Sequence, residues 1–294
     1  MDNSRLWNVI QEAWSALALK FEPLVEQECV ARGFDQRTWG LMLAVLTFEP
    51  EDTTPGHFLV RSPYSAAEAY MTRLKSAAGL GMLAEIDPGR FQVTEAGRKS
   101  TLDIAAAVRE AMEQMDPLLP ADAGRLAVLI ERLVQNCLET PSPPEPWSIR
   151  LSKKLMPNLN PPMPFIEQGF SCLSAYRDDA HLAAWQRSNL SAMALETLTL
   201  FWRGEVTSLD ELCEKLAFRG HSTQTYRHVL LDLRDLGLIT GPDQAPWVTG
   251  KGRVVRNEIE ADTDRFFFAP WTCLTGDEKL ETLDLVSRMR DGLG

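Results

Sequence analysis

Positive charge is scarce in this chain: 30 lysines and arginines stand against 41 aspartates and glutamates, a net charge of −11. Broad, sequence-indifferent adhesion to nucleic acid runs on counterion release by lysine and arginine, so that class is disfavoured. A sequence-specific reader can still be acidic overall where its cations cluster on one surface. Long apolar runs are missing too: no stretch of eighteen apolar residues occurs, so no membrane-spanning helix is expected. Met1-Asp2-Asn3-Ser4-Arg5 carries no basic region followed by an apolar one, which predicts a cytoplasmic protein. The cysteines (Cys29, Cys137, Cys172, Cys213, Cys273) are odd in number and far apart. That spacing fits neither a disulfide framework nor a metal knuckle, and it predicts free thiols, with no metal and no cofactor. Also missing are a nucleophile elbow, a phosphate loop and a zinc motif, so no catalytic residue is assigned.

What is present is a repeat. Val93-Thr94-Glu95-Ala96-Gly97-Arg98 returns as Val248-Thr249-Gly250-Lys251-Gly252-Arg253, an offset of 155 (248 − 93). The same offset pairs Leu43 with Leu198, Val45 with Leu200, Leu74 with Val229, Leu119 with Leu274 and Asp122 with Asp277. A spacing this long reads as a duplicated domain, not as the 20–50-residue period of a solenoid. The expected division is 1–139 for one copy, 140–164 for a linker holding eight prolines, and 165–294 for the other.

Each copy has the same local grammar. A helical pattern over Ser65–Ala78 buries Ala69, Leu74 and Ala77; Gly79 and Gly81 can stop it, and Met82–Ile86 and Arg90–Val93 flank the turn Asp87-Pro88-Gly89. Ser65 with Glu68 three residues on has capping-box spacing. The second copy repeats this with a helix over Thr223–Leu236, then Leu238-Ile239, a turn around Gly241-Pro242-Asp243, and Trp247-Val248. Ser208 with Glu211 again has capping-box spacing, opening a helix to Phe218. Other helices are predicted over Gln36–Phe48, from Ser100 to Met112, over Asp122–Leu138, Phe165–Trp185 and Ala192–Trp202, with a first helix carrying Trp7, Ile10, Trp14, Leu17 and Phe21 on one stripe. His57–Val60 suits either a strand or a helix.

Helix, helix, hairpin, Thr-x-x-Gly-Arg and long helix is an order that resembles the winged helix-turn-helix domain of the MarR family. The tail, Arg256 to Trp271 with Glu-x-x-Thr-Asp-Arg followed by Pro-Trp, together with His181-Leu182-Ala183-Ala184, is similar to the SalK-like helix-turn-helix family. The resemblance implies a mainly α fold with small β-hairpin wings: two winged helix-turn-helix domains held in one chain as a MarR-like pseudo-dimer. It further implies a monomeric transcriptional regulator of duplex DNA, with a small-molecule effector at the interface between the halves.

Groups able to meet phosphates and base edges are unevenly spread. The second copy offers Arg219, His221, Gln224, Thr225 and Arg227 at the start of its candidate recognition helix; the first offers Arg73, Lys75 and, in its wing, Arg90. The first helix is otherwise filled with alanine, and a solvated helix face accounts for either set equally well. Trp14, Trp39, Tyr176, His181, Trp185 and Trp202 are the candidates for an effector pocket between the halves. Asp178 and His181 share a helical face and with His221 invite a metal or catalytic reading; the simpler reading is a buried histidine with a carboxylate partner. A rival function, a protein-interaction or ligand-sensing module without DNA binding, is favoured by the acidity and by the alanine-rich first helix.

Overall fold

The computed structural model describes residues 2–294, and its two halves run through the same order of elements. The first comprises α1 (Asn3–Ala31), α2 (Gln36–Phe48), α3 (Pro55–Arg61), α4 (Ala67–Gly79), the hairpin β1 (Leu83–Asp87) and β2 (Arg90–Val93), α5 (Glu95–Glu113) and α6 (Pro120–Glu139). A connecting stretch contains α7 (Trp147–Lys153). The second comprises α8 (Pro162–Trp185), α9 (Ala192–Arg203), α10 (Leu209–Lys215), a 3-10 turn (Ala217–Arg219), α11 (Thr223–Asp235), β3 (Ile239–Thr240) and β4 (Trp247–Val248), α12 (Gly250–Phe268), a 3-10 helix (Ala269–Cys273) and α13 (Gly276–Gly292). The molecule is thus mainly helical with two small antiparallel hairpins.

The repeated Thr-x-x-Gly segment has one physical cause in both halves. Thr94 caps α5 by accepting from Gly97 N at 2.9 Å, while its hydroxyl donates to Gly81 O at 2.7 Å. Thr249 caps α12 by accepting from Gly252 N at 3.0 Å and donates to Gly237 O at 2.7 Å. One threonine therefore both opens a long helix and fastens it to the glycine turn that ends α4 or α11. The glycine is required by contact: a Cβ on Gly97 would overlap the Met82 carbonyl, and one on Gly252 the Leu238 carbonyl.

Local chemistry decides one point that the sequence left open and alters two capping assignments. His57–Val60 is helical because Pro55 occupies the first turn of α3, where its missing N–H costs nothing, and His57 Nδ1 accepts from Thr54 N at 3.1 Å. Ser65 does not cap α4; the N-cap is Ala66, which has no capping side chain, and its N–H donates to Arg219 O of the other half at 2.8 Å. Ser208 does cap α10, but Glu211 reaches one residue further back, to Thr207 N, than a capping box requires.

The halves exchange their ends. The first helix of each packs on the last helix of the other: α1 on α13, with Arg290 Nη1 on Glu12 Oε2 at 2.6 Å, and α8 on α6. Between α6 and α13, Arg125 makes a two-pronged pair with Glu281 (2.9 and 2.7 Å), and Arg132 reaches Glu278 at 2.5 Å. The main core consequently draws on both halves. Leu6, Trp7 and Ile10 of α1 are buried with Phe267 and Trp271, the Trp7 and Phe267 ring centroids 4.8 Å apart. Phe266, Phe267 and Trp271 are packing residues. A smaller second core (Met42, Val45, Leu74, Ala77, Phe91 among others) lies in the first half, with Trp147 and Leu151 of α7 packed against it.

The proline-rich stretch is strapped down. Asp179 on α8 accepts from Ser148 N (2.8 Å) and Ile149 N (3.1 Å), satisfying two free donors at the start of α7. Lys154 donates to Thr47 O at 2.6 Å and Glu49 O at 3.1 Å, placing a cation at the C-terminus of α2. α8 starts at Pro162, inside the expected linker.

Because the Thr-x-x-Gly junction tolerates no side chain, Gly252→Ala should destabilise the protein by about 1–3 kcal/mol, the range for overpacking a tight site. Gly250→Ala, where a Cβ meets nothing within 4 Å, should be near neutral. Urea denaturation of the two variants beside the parent checks this.

Candidate nucleic-acid interface

Residues 209–235 form two helices joined by a short turn, with α11 as the second. Ser222 caps it, accepting from Thr225 N at 3.1 Å. Its inner face is apolar and buried (Tyr226, Val229, Leu230, Leu233), so register fixes which side chains face out. Those are Thr223, Gln224, Arg227 and His228 on the first turns. They form a chain: Arg227 Nη1 donates to Gln224 Oε1 at 2.9 Å, and Gln224 Nε2 lies 3.2 Å from His228 Nε2. Thr225 is half-buried, its hydroxyl 2.8 Å from that of Ser222.

The hairpin beside α11 is short and folded back. Asp243 at its tip meets Arg234 Nη2 at 2.8 Å and Arg227 Nε at 3.3 Å, and its carbonyl accepts from Leu209 N at 2.9 Å. The exposed cation of this outward face is therefore partly neutralised within the protein. In the first head Arg90 is likewise paired with Asp52 and Asp87, Arg73 Nη2 donates to Phe218 O at 3.2 Å, and Lys75 is exposed.

Arg219 and His221, expected at a base-reading surface, are engaged between the halves. Arg219 Nε and Nη2 donate to Glu196 Oε1 (3.1 and 2.5 Å), while Nη1 reaches Ser62 Oγ (3.1 Å) and Ser65 Oγ (3.2 Å). Its guanidinium also lies over the rings of Tyr64 and Phe218, at 5.3 and 4.6 Å from their centroids. His221 Nε2 is 2.9 Å from Tyr64 O; a carbonyl only accepts, so that nitrogen carries the proton. Sequence periodicity could not expose this, because Glu196 lies on another helix and Ser62, Tyr64 and Ser65 are 154 to 157 residues away.

Behind this contact lies a cavity of about 370 Å³ between the halves, lined by Trp7, Tyr64, Arg177, His181, Glu196 and Arg256 among others. Its charges are matched. Glu260 accepts from Arg177 Nη2 and Arg256 Nη2, both at 2.6 Å; burial pushes its carboxyl up, but the two guanidiniums outweigh burial and hold it below the ordinary range. Arg256 is 2 % exposed, donates also to Thr199 Oγ1 at 2.8 Å, and lies over the Trp202 ring. Glu196 is raised by burial, against the opposing pull of Arg219.

His181 meets a hydroxyl, not the carboxylate partner expected. Thr263 Oγ1 donates to Ile259 O at 2.8 Å, which leaves it to accept from His181 Nδ1 at 3.2 Å. The imidazole is thus neutral, with an Nε2 lone pair left over. Burial first, then the positive charge of Arg256, pull its pKa down to about 4. Asp178 lines the same cavity as His181, but its carboxylate is held by Arg61 Nε at 2.7 Å, and His221 lies outside the lining, so the three do not gather as one set. Among the described residues no group of three or more His, Cys, Asp or Glu could hold a metal ion.

Of the six residues expected to form an effector pocket, His181 alone lines this cavity. Trp14 donates to Glu167 (3.0 Å), linking α1 to α8; Trp39 donates to Thr101 O (3.2 Å) and borders a separate cavity of about 240 Å³. Trp185 donates to Leu190 O (2.8 Å) and packs on Tyr64; Tyr176 is fully buried near Phe267; Trp202 supports Arg256. Tyr64 and Glu196 carry no signal in the sequence, and Arg256 and Glu260 stand in the tail segment without a site role. Only the four-residue spacing of Arg256 and Glu260 gave a local hint of a pair.

A histidine whose folded pKa lies below its unfolded value of about 6.5 costs stability once the unfolded chain can take up a proton. Its destabilising effect is absent above about pH 6.5 and grows as pH falls toward 4. Between pH 7.5 and pH 5.0 the parent should lose about 1–2 kcal/mol more than His181→Gln, a difference that urea titrations at the two pH values will reveal.

Comparison with known proteins agrees with the geometry of the second half. No curated protein and no solved structure matches the chain. The model of a helix-turn-helix family matches residues 162–293, which span α8 to α13. The second half of this chain is a helix-turn-helix domain.

Proposed function

We propose that this protein is a transcriptional regulator that reads duplex DNA through α11. The observation that carries the reading is the outward row Thr223, Gln224, Arg227 and His228 on the second helix of a helix-turn-helix domain. Glutamine can make two hydrogen bonds to the major-groove edge of adenine (N6 and N7), arginine two to that of guanine, and hydroxyls at the helix start suit phosphate. Thr225 supports the row from behind. Arg219 and His221 act one step back, fixing the turn from which α11 springs. In the first head Lys75 is the cation best placed to reach a phosphate, whereas Arg73 and Arg90 are held by the protein's own acceptors.

The parallel order of elements, the twin Thr-x-x-Gly junctions and the exchanged terminal helices support a MarR-like pseudo-dimer: two winged helix-turn-helix units in one chain, standing in for two subunits. On this reading residues 1–139 and 165–294 are the two units, joined by 140–164. The cavity between them is the natural seat for a small effector, since it touches both halves and borders the Arg219 contact. A second reading, a ligand-sensing or protein-interaction module without DNA binding, draws support from Asp243, which sits against Arg227 on the reading face.

Fluorescence anisotropy with duplex from the protein's own upstream region, over a salt series, separates the two readings. Under the regulator reading, Arg227→Ala weakens binding about tenfold and lowers the salt slope by about one, as loss of one phosphate or base contact does. Asp243→Asn strengthens binding several-fold by freeing Arg227. No binding by the parent at low salt, where phosphate contacts are strongest, would establish the module reading instead.

A further inference from the structure

The two heads touch, and the contact is built at the ends of the helices that a two-headed reader would insert into DNA. The 3-10 turn before α11 sits on the start of α4. Ala66 N donates to Arg219 O at 2.8 Å, Arg73 Nη2 to Phe218 O at 3.2 Å, and His221 pairs with Tyr64 O at 2.9 Å. Gly220, with φ +79°, presses its bare Cα against the same helix: a Cβ there would lie 2.9 Å from Ala69 Cβ and 3.6 Å from Ala66 Cβ. Ala66, Ala69 and Arg73 fall on one stripe of α4, spaced by three and four residues. The alanines that seemed to leave α4 without reading groups are the surface on which the other head rests.

Distances then limit the DNA. From Ala66 the link to Arg219 is 2.8 Å, and the three residues on to Ser222 span at most about 11 Å. The starts of α4 and α11 are therefore within about 14 Å of each other. A two-fold reader places its recognition helices one helical turn apart, about 34 Å. The closed pair cannot reach two such half-sites. Nor does it open without loss: Arg219 has four donors committed, two of them to Ser62 and Ser65 of the first half, and its carbonyl is the partner of an otherwise uncapped helix start.

We propose that the two heads work as one closed reader, in which α11 alone enters the major groove and the DNA recognised is a single uninterrupted element, not an inverted repeat. This rests on the DNA-binding reading above. The first head then serves as a brace that orients α11, which relieves α4 of any need for base-reading side chains. It also locates where an effector acts: Tyr64 and Glu196 belong both to the cavity and to the Arg219 contact, so a molecule in the cavity bears directly on the join between the heads.

Selection of the full chain against a random duplex library tests this. The expected result is one enriched element of about four to six base pairs without an inverted copy. Enrichment of an inverted repeat with centres about ten base pairs apart would overturn the closed reader while leaving DNA binding intact. No enrichment over a protein-free control would instead overturn the DNA-binding reading, and the inference with it. A second measurement tests closure at the contact itself. Ala69→Leu puts bulk into the contact from the helix that does not touch DNA, where Gly220 leaves no room for it, whereas Ala69→Gly removes only one methyl. Under the closed reader Ala69→Leu should bind the selected element at least tenfold more weakly than the parent, with Ala69→Gly within about twofold. Equal affinity of Ala69→Leu and the parent would overturn closure.

Discussion

Everything in this molecule hangs on the exchange of terminal helices between its halves. α1 buries Leu6, Trp7 and Ile10 against Phe267 and Trp271, residues that belong to the far end of the chain. Large aromatic side chains bury more apolar area than any others and dominate the energetics of such a contact. With α8 lying on α6 in the same manner, neither half closes its main core without the other. The cavity, the ion-pair cluster around Glu260 and the meeting of the heads all lie where that exchange brings the halves together.

The deficit of positive charge takes on a different meaning in the folded protein. Its arginines are largely consumed internally: Arg125 and Arg132 tie α6 to α13, Arg177 and Arg256 hold Glu260, and Arg219 joins the heads. Such pairs fix geometry more than they add stability, since desolvating a guanidinium offsets much of the attraction. Arginine suits this use because its planar fork satisfies two or three acceptors at once. Glu278 shows the strength of one such arrangement, held down to about 2 by its hydrogen bond to Arg132 and by the Thr275 N–H. What remains for a nucleic-acid surface is small and local, centred on α11.

Helix positions were legible in the sequence wherever a helix has one buried stripe or a sharp stop. Gln36–Phe48 was read to the residue, because Asp35 caps its start and Pro50 follows its end. α11 was read to within a residue, from its buried face and from Gly237. α4 was misread at its start, since Ser65 has the right chemistry for a cap but spends its hydroxyl on Arg219. The candidate site fared unevenly for the same reason. Gln224 and Arg227 stand on an exposed helical face, which periodicity reveals, whereas Arg219 and His221 look equally exposed in a linear reading and are engaged by partners from the other half.

By itself the sequence determined local structure and repetition: helices from their apolar period, turns from glycine and proline, and two like junctions from a threonine that caps and a glycine that admits no side chain. Those depend on neighbours a few residues apart, so they are written in the order of the chain. Only the tertiary structure decided which cations are free, which aromatic residues surround a cavity and which merely pack, and that the two heads rest on each other. Those depend on contacts between different helices, up to 157 positions apart where the heads meet, whose partners are chosen by the packing of whole helices and leave no periodic trace in the sequence.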